Sequence, residues 1–205
     1  MSSNADIERA DRLGLVDSGL ADVIATPLIA EASRLFRDRF KTGRLFAILK
    51  HPVKRAVADF VAKKTTNKKL QTMHLYQYAQ SVHVHENPVV KAIANVTGAV
   101  SNEHVMLAKA ILENYVLVGL ADEYEESMSR FYNYFGWTKE GEWGACQSNF
   151  LAVLKYQSED EETGEGTVEY STLADRNWAD MELYSFATEL FKRQRSVGTG
   201  KVKIF

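Results

Sequence analysis

Gly43-Arg44-Leu45-Phe46-Ala47-Ile48-Leu49-Lys50-His51-Pro52-Val53-Lys54-Arg55-Ala56-Val57-Ala58-Asp59-Phe60 is the stretch that decides the fold. The apolar run Leu45 to Leu49 predicts a short buried strand. Pro52 suits the first turn of a helix, where its missing N–H is not needed. Val53, Ala56, Val57 and Phe60 then recur at helical spacing. The stretch is therefore a strand, a tight turn and a helix, with Lys50, His51, Lys54 and Arg55 crowded around the turn. A helix N-terminus has free N–H groups and the positive end of a dipole, so cations gathered there point to a phosphate or a sulfate.

Outward from this stretch the pattern is α/β. Asp6 to Val16 predicts a short amphipathic helix, Ala21 to Ala25 a second short strand ending at Thr26-Pro27, and Leu28 to Phe40 a helix with Ile29, Ala32, Leu35 and Phe36 on one face. Strand, helix, strand and helix in succession predict a parallel sheet. Lys63 to Lys69 is a polar, basic connection. Leu70 to Ala79 and Val89 to Val96 have helical spacing, with Asn87-Pro88 as a break. Ser101 is placed to cap a helix running to about Asn114. Tyr115 to Leu120 is the second strong strand. Asp122 follows as an N-cap with Glu125 three residues on. Met128, Phe131, Tyr132 and Phe135 line one helical face, and Gly136 closes that helix. Ser158 to Glu169 is an acidic, glycine-bearing loop, Asn177 to Gln194 a strong amphipathic helix, and residues 195–205 a flexible tail. Residues 1–205 form one domain.

Composition narrows the classes of function. A chain of 205 residues, 45% hydrophobic and 25% charged, holds one full core. A net charge of −2 argues against nucleic acid as a partner. A lone cysteine, Cys146, excludes an internal disulfide and a cysteine-rich zinc site. No apolar run approaches the roughly twenty residues of a membrane span, and Met1 to Ala10 is polar, without a signal-peptide core.

The Lys50–Phe60 turn resembles the 3′-phosphate-binding segment of sulfotransferases that use 3′-phosphoadenosine 5′-phosphosulfate (PAPS). It is closest to the carbohydrate type, whose pattern is Phe-x-x-Leu-Arg-His-Pro-Val-x-Arg-Ala-x-Ser. Two further blocks share the likeness. One is the run Val116 to Trp137, with Val118-Gly119-Leu120…Glu125-Glu126-Ser127-Met128…Arg130-Phe131…Tyr134-Phe135-Gly136-Trp137. The other is Asn177…Asp180…Leu183-Tyr184…Leu190-Phe191…Gln194. The resemblance implies a P-loop-like fold with a central parallel sheet flanked by helices. It implies PAPS as co-substrate, no metal, a carbohydrate hydroxyl as acceptor, and a Golgi lumen or membrane setting. The cofactor-binding residues would be Lys50, His51 and Arg55. Lys50 stands where the family has an arginine, which loses the bidentate fork, and Ala58 where it has a serine. No Gly-Lys or Lys-Gly-Thr element precedes Ala21, so the family's 5′-phosphosulfate loop is absent and the domain is expected to be N-terminally truncated. The catalytic residue is not assigned. The other reading is an inactive remnant that binds a glycan or another subunit, as a homo- or hetero-oligomer, because a shortened sheet exposes an edge strand.

Other candidates have plain readings. His83 and His85 form a His-x-His pair that on a strand would face one side and suit a metal or a general base. In a loop they are surface residues. His74 and His104 fall in helical patterns. Trp137, Trp143 and Trp178 serve as a sugar platform or, more simply, as interior packing. Lys63, Lys64, Lys68 and Lys69 form a solvated basic face unless the acceptor is polyanionic.

Overall fold

A computed structural model describes residues 3–19, 23–36, 43–137 and 164–195. The order is α1 (Asn4–Arg12), α2 (Ile29–Ala32) with a 3₁₀ turn Ser33–Leu35, β1 (Leu45–Leu49), α3 (Pro52–Thr66), α4 (Lys68–Gln71), α5 (Leu75–Gln80), α6 (Pro88–Ala94), α7 (Asn102–Tyr115), β2 (Val116–Leu120), α8 (Tyr124–Phe135), α9 (Val168–Arg176) and α10 (Trp178–Arg193). The described part is helix-dominated and broadly α/β. Its sheet has two parallel strands, in register from Leu45 opposite Val116 to Leu49 opposite Leu120.

Alternation along the strands separates two packing layers. Val116, Val118, Leu120 and Leu49 join the largest core with Val105, Ala108 and Leu112 of α7 and Leu183, Ala187 and Leu190 of α10. Phe46 and Leu117 face the other way, against Phe131 and Phe135 of α8. Gly119 is required there, because a Cβ would lie 2.8 Å from Phe131 Cζ and 2.9 Å from Ser127 Cβ. Helix α3 buries Val53, Ala56, Val57 and Phe60 as its spacing predicts, in a second core with Leu70, Tyr78, Ala79, Val84 and Leu173.

The outer edge of β2 is closed by side chains. The Gln194 amide receives the Val118 N–H at 2.9 Å and donates to the Val116 carbonyl at 2.9 Å. The Ser127 hydroxyl accepts from the Leu120 N–H at 2.9 Å and lies 3.1 Å from the Leu120 carbonyl. Buried backbone groups without a partner are costly. We therefore expect Gln194→Ala to lower the unfolding free energy by about 2–3 kcal/mol in urea denaturation. A loss below about 0.5 kcal/mol would mean that another group takes over the edge.

Several elements depart from expectation. Val23 to Ala25 is irregular rather than a strand, and Ala21 and Asp22 lie outside the described residues. Ile24 instead packs with Ile7, Ala10 and Leu35 in a separate N-terminal cluster. The helix expected over Leu28–Phe40 stops early. Ser33 donates to the Ala30 carbonyl at 2.7 Å, which draws the chain into a 3₁₀ turn. The basic stretch Lys63–Lys69 is mostly helical, because Asn67 ends α3 in an extended conformation and caps α4 through its side chain. The helix expected over Leu70–Ala79 is split between α4 and α5. The acidic loop ends sooner than expected, since Thr167 caps α9 with a 3.2 Å bond from the Tyr170 N–H. Residues 158–163, Trp143 and the tail 196–205 lie outside the described residues. Asp122 is not a helix cap: α8 starts after Glu123 with no side-chain cap, and Asp122 is engaged elsewhere.

Candidate functional site

The two parallel strands end side by side, and the Ala121 N–H donates to the Leu49 carbonyl at 2.9 Å, which ties their exits together. Ligands of parallel α/β sheets gather at this end. Lys50 and His51 lead from β1 directly into α3. No side chain caps α3, and its first turn contains no acid and one lysine, Lys54. The positive end of a four-turn helix is thus left without an internal counter-charge on its own element.

The groups around this turn come from three other elements. Asp122, just beyond β2, accepts from Lys54 Nζ at 2.9 Å and from the Tyr184 hydroxyl of α10 at 3.3 Å. The His51 ring meets the Tyr184 ring edge-on at 5.2 Å and stacks on Tyr170 of α9 at 6.0 Å. His51 Nε2 lies 3.5 Å from the Tyr170 hydroxyl. The Tyr170 hydroxyl also reaches Glu165 at 3.4 Å. His51 Nδ1 is buried without a hydrogen-bond partner. Burial raises the phenol pKa of Tyr184, and the neighbouring Asp122 raises it further.

Burial lowers the pKa of His51, and Lys54 adds to the effect. The folded protein therefore favours neutral imidazole. The unfolded chain binds the proton more readily, so stability is fully present above the ordinary histidine value of about 6.5 and is lost as pH falls below it through the lower folded value. His51→Gln should flatten this decline. Thermal unfolding of both proteins between pH 8 and pH 5 checks it, and parallel curves would rule His51 out as the cause.

Arg55 has a different environment. Its guanidinium donates to Asn177 Oδ1 at 2.9 Å and lies 3.3 Å from Asp180 Oδ2. Those two residues belong to a reciprocal lock between helix starts. Asp180 accepts from the N–H groups of Val89 and Val90 at the start of α6, at 3.1 and 2.8 Å. Asn87, in a left-handed conformation just before α6, accepts from the N–H groups of Ala179 and Asp180 at the start of α10, at 2.9 and 3.2 Å. The side chains of Arg55 and Asp180 are 23% and 1% exposed, whereas Lys54 and Asp122 are 44% and 46% exposed. An exposed pair is worth at most about 1 kcal/mol, so Lys54 leaves Asp122 easily for a competing anion. Arg55 is held inside the protein.

The remaining candidates lie elsewhere. His83 and His85 sit in a loop, not a strand. His85 Nδ1 is 3.6 Å from Asp59 Oδ2 and Nε2 is 3.2 Å from Lys63 Nζ. Among the described residues no group of three or more histidines, cysteines or acids is placed to hold a metal. His104 Nδ1 accepts from the Ser101 N–H at 3.0 Å, so this histidine serves the start of α7. Trp137 packs against Phe46 and Phe135, and Trp178 is 38% exposed at the start of α10. Lys63 pairs with Asp59 at 2.7 Å, and Lys64 lies over the Phe60 ring at 5.0 Å. No described helix is long and apolar enough to cross a membrane.

Sequence reasoning placed Lys50, His51, Lys54 and Arg55 at one turn but did not single out Tyr170, or the pairing of Asp122 with Lys54. Tyr170 falls just past the acidic-loop reading, Ser158 to Glu169, which covered only the first two residues of α9. Tyr184 was visible only as part of the C-terminal pattern. No protein-family model, curated protein or solved structure matches the chain.

Proposed function

We propose that the β1–α3 turn binds the 3′-phosphate end of PAPS, and that the chain is a sulfotransferase-type domain moving a sulfuryl group to a carbohydrate hydroxyl. One observation carries this reading. The three separated blocks that resemble the sulfotransferases touch one another through the residues of the resemblance. Arg55 meets Asn177 and Asp180, His51 meets Tyr184, Arg130 donates to the Phe191 carbonyl, and Gln194 closes the edge of Val116 and Val118. Their contacts in space support treating the three blocks as one unit.

In this reading the N–H groups at the start of α3 and the side chains of Lys50 and Lys54 meet the phosphate, while His51 shapes the wall with Tyr170 and Tyr184. Arg55 adds positive field from within and holds α3 in place. Sulfuryl transfer resembles phosphoryl transfer, where a protein mainly positions two reactants and neutralises charge on oxygens. Each such donor contributes roughly 10²–10³ in rate.

The second reading, an inactive remnant that binds a glycan or another subunit, draws on Arg55. The cation best matched to the family's later arginine is spent on Asn177 and Asp180. The two readings part on calorimetry with 3′-phosphoadenosine 5′-phosphate. Binding in the micromolar range supports a nucleotide site, and no heat at millimolar nucleotide removes it.

A further inference from the structure

Of the asparagines in the chain, Asn95 alone stands two residues before a threonine or a serine, in Asn95-Val96-Thr97. That spacing, with any residue but proline between, is the acceptor pattern for an N-linked glycan. A motif this short needs a structural context, and here it is an open turn. Asn95 ends α6, and residues 95–100 run without regular structure toward α7. The Val96 N–H donates back to the Lys91 carbonyl at 2.9 Å, which closes the helix. Asn95 and Thr97 are exposed on either side of half-buried Val96, and Gly98 and Ala99 after them are exposed too. A Cβ added at Gly98 would meet nothing within 4 Å, so the space beside Thr97 opens to solvent.

Comparison with Asn87 shows what is unusual about this side chain. Asn87 and Asn95 are the residues other than glycine in a left-handed conformation among those described. Asn87 is buried, and its amide serves the start of α10 and the Arg176 carbonyl. Asn95 has a similar backbone at a helix end, where asparagine is tolerated. Among the described residues, however, nothing bonds to its carboxamide or to the Thr97 hydroxyl. The fold uses the backbone of Asn95 and leaves its side chain free.

We propose that Asn95 is the acceptor of an N-linked oligosaccharide. Its Nδ2 attacks the anomeric carbon of the first sugar of an oligosaccharide carried on a polyprenyl diphosphate. The bond from Nδ2 to that carbon forms, and the bond from the carbon to the diphosphate oxygen breaks. The diphosphate leaves with the electron pair, and Nδ2 gives up one proton. An amide nitrogen is a weak nucleophile, because its lone pair is delocalised into the carbonyl. A transferase must therefore grip the carboxamide and the hydroxyl two residues on together, which exposed and unbonded side chains allow. The glycan would stand about 10 Å from the lock of Asn87 and Asp180, the length of α6 at 1.5 Å per residue, so variants at the turn leave that lock untouched. Such transfer takes place in secreted proteins. The chain's encounter with the transferase thus rests on the sulfotransferase reading, whereas the fitness of the turn rests on its own geometry.

The test is to express the full chain with an added secretory leader in cultured animal cells and to compare the mass of the microsomal protein before and after peptide N-glycosidase. One discrete, glycosidase-sensitive increment is expected, with the Asn95 amide converted to a carboxylate in the digest. Thr97→Ala should abolish the increment without touching the helix end, and Thr97→Ser should keep part of it. Asn95→Gln should abolish it as well. Microsomal protein without the increment, or an increment that persists in Thr97→Ala, would overturn the inference. The two readings fail separately. A glycosylated chain that binds no nucleotide would strike the functional reading alone, and an unmodified chain that binds nucleotide would strike this inference alone.

Discussion

Asp180→Ala should lower the unfolding free energy by about 3–5 kcal/mol, the range for breaking a buried charge network at one partner. Three losses combine. The Val89 and Val90 N–H groups at the start of α6 lose their acceptor. Arg55 loses its counter-charge. Helix α10 loses an acid from its first turn. Asn87→Ala should cost less, about 1–2 kcal/mol, by uncapping α10, by losing the Nδ2 bond to the Arg176 carbonyl at 3.3 Å and by placing alanine in a left-handed conformation. The double variant should fall short of the sum, because both residues serve one lock between α6 and α10. Urea denaturation of the four proteins measures this. A loss under about 1 kcal/mol for Asp180→Ala, or strict additivity, would mean that the lock is not a unit.

Lys54→Glu should weaken 3′-phosphoadenosine 5′-phosphate by about a hundredfold. Reversing one charge about 4 Å from a phosphate near the surface changes the interaction by several kcal/mol at an effective dielectric of about 20, and each 1.4 kcal/mol is tenfold. Asp122→Asn should act oppositely and tighten binding about threefold, since Lys54 no longer has to leave a carboxylate. Calorimetry on the two variants gives both signs. Little change in Lys54→Glu would place the nucleotide elsewhere. Neither variant should alter stability by more than about 1 kcal/mol, because the pair is exposed.

The fold was legible where hydrophobic period and local chemistry agreed. Leu45–Leu49, Pro52 and the Val53–Phe60 face predicted β1 and α3 to the residue at their starts. Gly136 closes α8 in the left-handed conformation that its position implied. The pattern failed where a side chain bonded to its own neighbourhood. Ser33, Asn67 and Thr167 each moved a boundary through one short-range hydrogen bond. Ala21 to Ala25 had strand composition, yet apolar residues without a strand to pair with pack equally well as irregular chain, as Ile24 does.

The site was half legible. Cations before and after Pro52 marked the turn, because their positions follow from one helix. What each cation does was not legible, since Asn177 and Asp180 are more than 120 residues from Arg55 in sequence, and only the packing of α10 brings them there. Asp122 had the composition of a helix cap, but its carboxylate turns instead to Lys54 and Tyr184.

The claim on which the rest depends is that the opening turn of α3 grips a 3′-phosphate. It is tested by NMR titration of the Val53, Lys54 and Arg55 amides with 3′-phosphoadenosine 5′-phosphate and with adenosine 5′-phosphate, which lacks that group. The account predicts large, saturable shifts at these three amides with the first nucleotide and little or none with the second. Equal shifts with both, or shifts confined to other parts of the chain, would contradict it.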